Sequence, residues 1–225
     1  MKDLKAQKGK FYIERLIEQG EHEEQDFKFS VNDARKIARS ISAFANTHGG
    51  RLLIGVKDNG IVSGIRNEED IYVVEEAASR YCRPEQHVDF RAYNVGGGVT
   101  VVQATIAKAV VRPVEVLEVD GRRVYRRVAD ENIVAHPLMV EAWRDTGTAI
   151  TLGDEANTLL SVIEKIGCPV TATQAAVAAK LSMATTKKAI VSLLRLELVV
   201  FIYEHGGWYL TVPDIKNYAD KLSNP

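Results

Sequence analysis

Arg122, Arg123, Arg126 and Arg127 crowd into one short stretch, with Tyr125 among them. A guanidinium grips a phosphate through paired N–H donors, and an aromatic ring offers a face on which a base can stack. In a strand, Arg123 and Tyr125 point one way while Arg122, Val124 and Arg126 point the other. The stretch is therefore a candidate phosphate-contacting patch. Lys28, Arg35, Lys36, Arg39 and Arg51 extend the same positive face. The plainer alternative pairs the arginines with Glu118, Asp130 or Glu131, and surface pairs of that kind contribute little.

A second cluster is Thr185, Thr186, Lys187 and Lys188, just after Ser182. Serine is a good N-cap, so these residues open a helix. Groove contacts are expected there if the helix is the second of a helix-turn-helix. Glu204, in the EHGG turn further on, would repel phosphate.

Other chemistries find little support. Cys82 and Cys168 lie far apart with no CxxC or Cys/His spacing, which argues against structural zinc and for free thiols in a reducing compartment. There is no GxxxxGK[ST] loop, and Gly96-Gly97-Gly98 reads as a hairpin turn. His48 and His136 are isolated, and no Ser/His/Asp or Cys/His arrangement can be argued.

The chain has 225 residues, with 29 Lys plus Arg against 30 Asp plus Glu and a formal net charge of -1. That balance gives no global attraction to phosphate backbones, so a nucleic-acid reading must rest on a local basic face. Hydrophobic residues make up 46% and charged ones 26%, the composition of an ordinary globular protein. No apolar run approaches the roughly 20 residues a bilayer span needs. The basic N-terminus, MKDLKAQKGK, has no apolar core behind it, so a cytoplasmic location is expected.

The patterns that must position these residues alternate between helix and strand. Phe11, Ile13, Leu16 and Ile17 mark a first helix. Ile37, Ile41 and Phe44 mark a second over residues 31–46, capped by Ser30 or Asn32, with Arg35, Lys36 and Arg39 on its outer side. Gly49-Gly50 stops it. Residues 51–56 suit a buried strand, and Asp58-Asn59-Gly60 turns the chain back into a partner strand over 61–65. A third helix covers 68–81. Hairpins follow around Gly96-Gly97-Gly98 and Asp120-Gly121. Interleaved helices and hairpins favour an α+β fold with a mixed sheet.

Residues 141–154 are polar and aperiodic and read as a boundary, giving domains 1–145 and 146–225. His136-Pro137 is a second candidate for the end of the first domain. Beyond the boundary come helices over 156–166, 173–180 and 182–196, then strands over 198–203 and 208–212. That is the order of a winged helix, and TQAAVAAKLS (173–182) resembles the helix-turn-helix segment of bacterial regulators.

The stretches SAFANTHGG, LLIGVKDNG and IVSGI (residues 42–65), with GEHEEQDFK before them and VYRRVADEN after, resemble the AlbA-type DNA-binding domain of Schlafen-like proteins over residues 10 to 140. Asp26 departs from the pattern, which usually has glutamate before Phe-Lys. The resemblance implies a nucleic-acid-binding α+β domain, with Lys28, Asn46 and Arg126 or Arg127 at motif positions. It also places Glu21, Asp26 and Asp58 where some Schlafen proteins carry three carboxylates of a metal-dependent RNA-cleaving site. Carboxylates meeting at one point need a divalent cation, and Mg²⁺ or Mn²⁺ suits such oxygens. Against that reading, Glu21 and Asp26 sit in an acidic run that could simply be solvated, and Asp58 is a favoured turn residue.

The leading expectation is a DNA-binding transcriptional regulator without cofactor, forming a homodimer and touching no membrane. Its nucleic-acid contacts would be Lys28, Asn46, Arg123, Arg126, Arg127, Thr185, Thr186, Lys187 and Lys188. The alternatives are a Mg²⁺- or Mn²⁺-dependent ribonuclease using Glu21, Asp26 and Asp58 on RNA, and a protein-interaction module.

Overall fold

The computed structural model describes residues 4–144 and 151–213. The chain divides into two compact units, Met1–Ala135 and His136–Pro225. The break falls between Ala135 and His136.

The first unit runs β1 (Gln7–Lys8), α1 (Lys10–Glu18), β2 (Gln25–Lys28), α2 (Ala34–Asn46), β3 (Gly50–Ile54) and α3 (Glu69–Glu76), which continues into a π-helical turn, Ala77–Tyr81. Then come β4 (Cys82–Arg83), β5 (Val88–Gly96), β6 (Val99–Ile106), β7 (Glu115–Glu118), β8 (Gly121–Val128) and β9 (Glu131–Val134). A five-stranded sheet has the order β1-β5-β6-β3-β2, and a four-stranded sheet the order β4-β7-β8-β9. The five-stranded sheet is mixed. β1 is parallel to β5 and β2 to β3, while β5–β6 and β3–β6 are antiparallel. The α+β mixed-sheet expectation holds.

Helix α2 packs against strands of both sheets. Nine of its residues are buried, from Ile37 to Asn46, because neighbours surround it on more than one side. Ile37, Ile41 and Phe44 meet Leu52, Ile54, Val102, Val116 and Tyr125 in the main core. Burying each such side chain stabilises the fold by about 1.5–3 kcal/mol. Strand alternation sends Phe27 and Leu53 to the opposite face, where they meet Ile13 and Leu16 of α1.

Several local expectations change. The N-cap of α2 is Asp33, whose carboxylate accepts from the amides of Arg35 and Lys36, at 3.0 and 3.2 Å. Residues just before it are used elsewhere: the Val31 amide donates to Asp70 at 2.7 Å. The partner strand expected over 61–65 is one bridge, Val56–Val62. What fixes this corner is Gly55, with φ +95°, where a Cβ would stand 2.6 Å from the backbone of Gly64. Gly64 is held by its own positive φ, +73°, and by the close approach of Val99 and Thr100.

The second unit runs α4 (Pro137–Arg144), α5 (Asp154–Ile166), α6 (Ala172–Ala179), α7 (Met183–Arg195), β10 (Val200–Glu204) and β11 (Gly207–Thr211). α4 packs on α7, which is why the unit begins before residue 145. β10 and β11 form an antiparallel hairpin, and Val170, just before α6, bridges Leu210 of β11. Thr171 starts α6 with a capping box closed by Gln174, and Lys180 ends it in the left-handed region. Leu159, Ile163, Ile190, Leu193, Phe201 and Leu210 are buried in this unit. No helix among the described residues is long and apolar enough to cross a membrane.

Candidate nucleic-acid interface

The motif residues of the first unit converge on a buried polar node. Arg127, on β8, reaches across to β2 and donates to the Asp26 carboxylate at 3.3 Å. It also donates to the Gln25 carbonyl at 3.3 Å and to Asn132 Oδ1 at 2.9 Å, with its guanidinium 5.0 Å from the Phe44 ring centre. Asn132 in turn donates to Ser40 of α2 at 2.9 Å. Lys28 approaches the same carboxylate, Nζ to Oδ2 at 2.6 Å. Two cations thus hold one buried anion, which satisfies the cost of taking it out of water.

Glu21 lies beside Asp26, and its Oε1 accepts the Phe27 amide at 2.8 Å. Burial pushes the Glu21 carboxyl up, and hydrogen bonding to Asp26 pushes it further. Burial also works to raise Asp26, but Lys28, the bond from Glu21 and Arg127 together outweigh it and hold Asp26 below the usual carboxylate range. Of the two, Glu21 is the carboxyl that takes up a proton first as pH falls. Gln25 donates to the carbonyls of Leu16 and Gly20, and its Oε1 is buried without a partner.

Asp58 is exposed in the turn after Val56. Among the described residues, no group of three or more His, Cys, Asp or Glu side chains comes together in a way that could hold a metal ion. Asp26 already has Lys28 and Arg127 on its oxygens, so Glu21, Asp26 and Asp58 do not fit a divalent cation in this arrangement.

Other expected contact residues also lie inside. Asn46 is buried and acts as a staple: its side chain donates to the carbonyls of Val114 and Tyr125, at 2.9 and 3.0 Å, and accepts the Val114 amide at 2.8 Å. Direct contact with nucleic acid is corrected to a structural role for Asn46 and Arg127, because burial removes both from any ligand's reach. Tyr125 is not a stacking face either. Its ring joins the core, and its hydroxyl donates to Glu118 at 2.6 Å. Arg39 clamps the same Glu118 with two hydrogen bonds, at 2.7 and 2.9 Å. That clamp holds Glu118 below its ordinary range, with burial opposing and Tyr125 assisting.

Of the remaining arginines, Arg122 pairs with Glu115 and Arg123 with Asp120. Arg126 is half-buried, and burial lowers its otherwise high pKa. The plainer reading of the β8 arginines, pairing with acids, thus describes most of them, although their partners include Asp26, Glu115 and Asp120, which were not foreseen.

In the second unit, Thr186 is buried and donates to the Ser182 carbonyl at 2.9 Å, so it too is corrected from contact residue to structural one. Thr185 is engaged by the Ser182 cap. Lys187 and Lys188 are exposed on the first turns of α7.

One cationic cluster had no signal in the linear sequence. Lys57 and Arg66 both lie over the ring of Phe29, at 5.2 and 5.5 Å from its centre. The three residues are scattered along the chain: the parallel pairing of β2 with β3 brings Phe29 and Lys57 to one end of the sheet, and the turn that follows returns Arg66 to them.

The first unit is an α+β nucleus whose motif residues tie a mixed sheet to a central helix. Residues 21–136, more than half of the chain, match the family model described as Schlafen, AlbA_2. The chain belongs to that Schlafen AlbA_2 family. Among solved structures, it is similar to the DIP2311 protein from Corynebacterium diphtheriae, at 19% identity and a TM-score of 0.45, over 90% of this chain and 44% of that one. The chain thus spans less than half the length of that protein. It is also similar to the N-terminal domain of an ATP-dependent DNA helicase RecG-related protein from Nitrosomonas europaea, at 20% identity and a TM-score of 0.39, over 58% of this chain and 96% of that domain. No curated protein matches the sequence.

Proposed function

We propose that this chain binds DNA and acts as a transcriptional regulator, with the second unit as a winged helix. The observation that carries this reading is the layout of that unit. α5, the Val170 bridge, α6, α7 and the β10–β11 hairpin follow one another in winged-helix order, with Lys187 and Lys188 exposed where α7 begins. In such a fold that end of the helix enters the major groove. The first unit would add affinity for the phosphate backbone, in keeping with the DNA-binding role its family resemblance implies. Lys28 and Arg126 remain as contributors there, each already partly engaged within the protein. A homodimer reading two half-sites belongs to the same proposal, and light scattering of the free and DNA-bound chain tests it.

The decisive experiment titrates salt against the binding of a mixed-sequence duplex. Lys187→Ala with Lys188→Ala should weaken binding and flatten the salt slope. An unchanged slope counts against α7 as the contact surface.

The second reading, a metal-dependent ribonuclease, draws on the Glu21–Asp26 carboxyl pair. It is the weaker one, because Asp26 is held by two internal cations. Mn²⁺-dependent cleavage of tRNA that Asp58→Asn abolishes, without unfolding the protein, would reverse the order. If neither a DNA shift nor RNA fragments are seen, the protein-interaction module takes the lead.

A further inference from the structure

We infer that Phe29, Lys57 and Arg66 form a phosphate-binding platform for the nucleic-acid backbone, on the first unit and separate from the arginine strand β8. The inference rests on the nucleic-acid reading above and assigns its backbone contact to particular residues.

The fold builds this platform from three turns. β2 and β3 run parallel, so the chain leaves both at the same end of the sheet. Phe29 follows the last residue of β2. Lys57 follows β3 by way of Gly55 and Val56. The turn 57–60 then reverses the chain, closed by the Gly60 amide donating to the Lys57 carbonyl at 2.7 Å. The amides of Ser63 and Gly64 donate back to the Gly55 carbonyl at 2.8 and 2.9 Å, and this returns Arg66 to the same ring. The Ile65 amide donates to Thr100 at 2.8 Å and ties the segment to β6.

What distinguishes this cluster is the kind of partner each cation has. Arg39, Arg122, Arg123 and Arg127 all sit on carboxylates, so their charge is cancelled within the protein. Lys57 and Arg66 are instead ordered by the face of an aromatic ring, which holds a cation without neutralising it. Among the described residues neither forms an ion pair, although Asp58 and Glu68 are near in sequence. Both cations are exposed, as is part of the Phe29 ring. Arg66 also lines a cavity of about 380 Å³ with Ser63, Asn67, Glu68 and Thr100. Two ordered, uncompensated cations on one surface match the needs of a phosphodiester chain.

The test measures fluorescence anisotropy of a labelled mixed-sequence duplex against the full chain over a series of salt concentrations. Lys57→Ala with Arg66→Ala should weaken binding and reduce the steepness of the logarithmic salt plot by ~0.9 for each phosphate no longer neutralised. Phe29→Leu keeps both charges and removes the ring that orders them, so its affinity should fall between wild type and the double variant. Lys8→Ala with Lys108→Ala removes the same charge away from the cavity that Arg66 lines and should leave affinity closer to wild type. Equal losses in the two double variants would overturn the platform, since charge number alone would then explain the effect. Wild-type affinity in Lys57→Ala with Arg66→Ala, alongside weakened binding in Lys187→Ala with Lys188→Ala, would overturn it while leaving the DNA-binding reading intact. If the wild-type chain binds no duplex at any salt, both fall together.

Discussion

Arg127 Nη2 lies 3.3 Å from Asp26 Oδ1, and the two side chains are 1% and 6% exposed. The pair joins β8 of the four-stranded sheet to β2, an edge strand of the five-stranded sheet, on one flank of α2. A buried pair of this kind is a fastening between sheets.

Removing one member should show its cost. Arg127→Met removes one of the two cations on Asp26, leaving Lys28, and deprives the Gln25 carbonyl and Asn132 of a donor. Breaking a buried pair costs ~3–5 kcal/mol. Urea unfolding should show a loss of that order, and a loss below ~1 kcal/mol would mean that Lys28 suffices for Asp26.

The Arg39–Glu118–Tyr125 clamp predicts a pH dependence. Glu118 is depressed below its ordinary value, so it stabilises the fold above the usual carboxylate range and loses that contribution as pH falls through its folded value. Asp26 acts in the same direction. Glu21, which is raised, acts in the opposite one: its contribution is present in acid and lost as pH rises. Comparing wild type with Glu118→Gln isolates the clamp. The stability gap should be widest at neutral pH and close in acid. A gap constant with pH would show that Glu118 keeps its ordinary pKa.

Gly55→Ala should be poorly tolerated. The backbone there has φ +95°, and the new methyl group would stand 2.6 Å from the Gly64 backbone. The conformation alone costs ~1–3 kcal/mol for a non-glycine residue, with the collision added to it. Thermal unfolding should register the loss, and the Phe29 platform should weaken with it, since this corner positions Lys57 and Arg66.

Thr171→Ala removes the capping box of α6. The expected cost is ~0.5–2 kcal/mol. Hydrogen exchange should quicken in α6 while the amides of α2, in the other unit, stay protected. Faster exchange in both would show that the two units unfold as one.

Much of the fold was legible in the residues. The period of Ile37, Ile41 and Phe44 marks α2, and the triple glycine and Asp120-Gly121 mark the hairpins β5–β6 and β7–β8. Helix caps and turns are local, and their chemistry is written in neighbouring residues. Short edge strands carried no comparable signal. β1 has two residues and no alternation to read, and only a partner distant in sequence, β5, gives it its form.

The site was less legible, because residue type does not say whether a charge faces water. Arg127 and Lys187 look alike in the sequence as candidate phosphate ligands. One is sealed between Phe44 and Asp26, and the other stands in solvent on α7. The mixed α+β character and the three-helix-then-hairpin order of the second unit follow from local pattern, and the motifs around residues 42–65 carry the family resemblance. Tertiary structure alone decided which cations stay uncompensated. That depends on which carboxylates and rings the strand pairings bring within reach, and for Arg39 and Arg127 those partners lie tens of residues away along the chain.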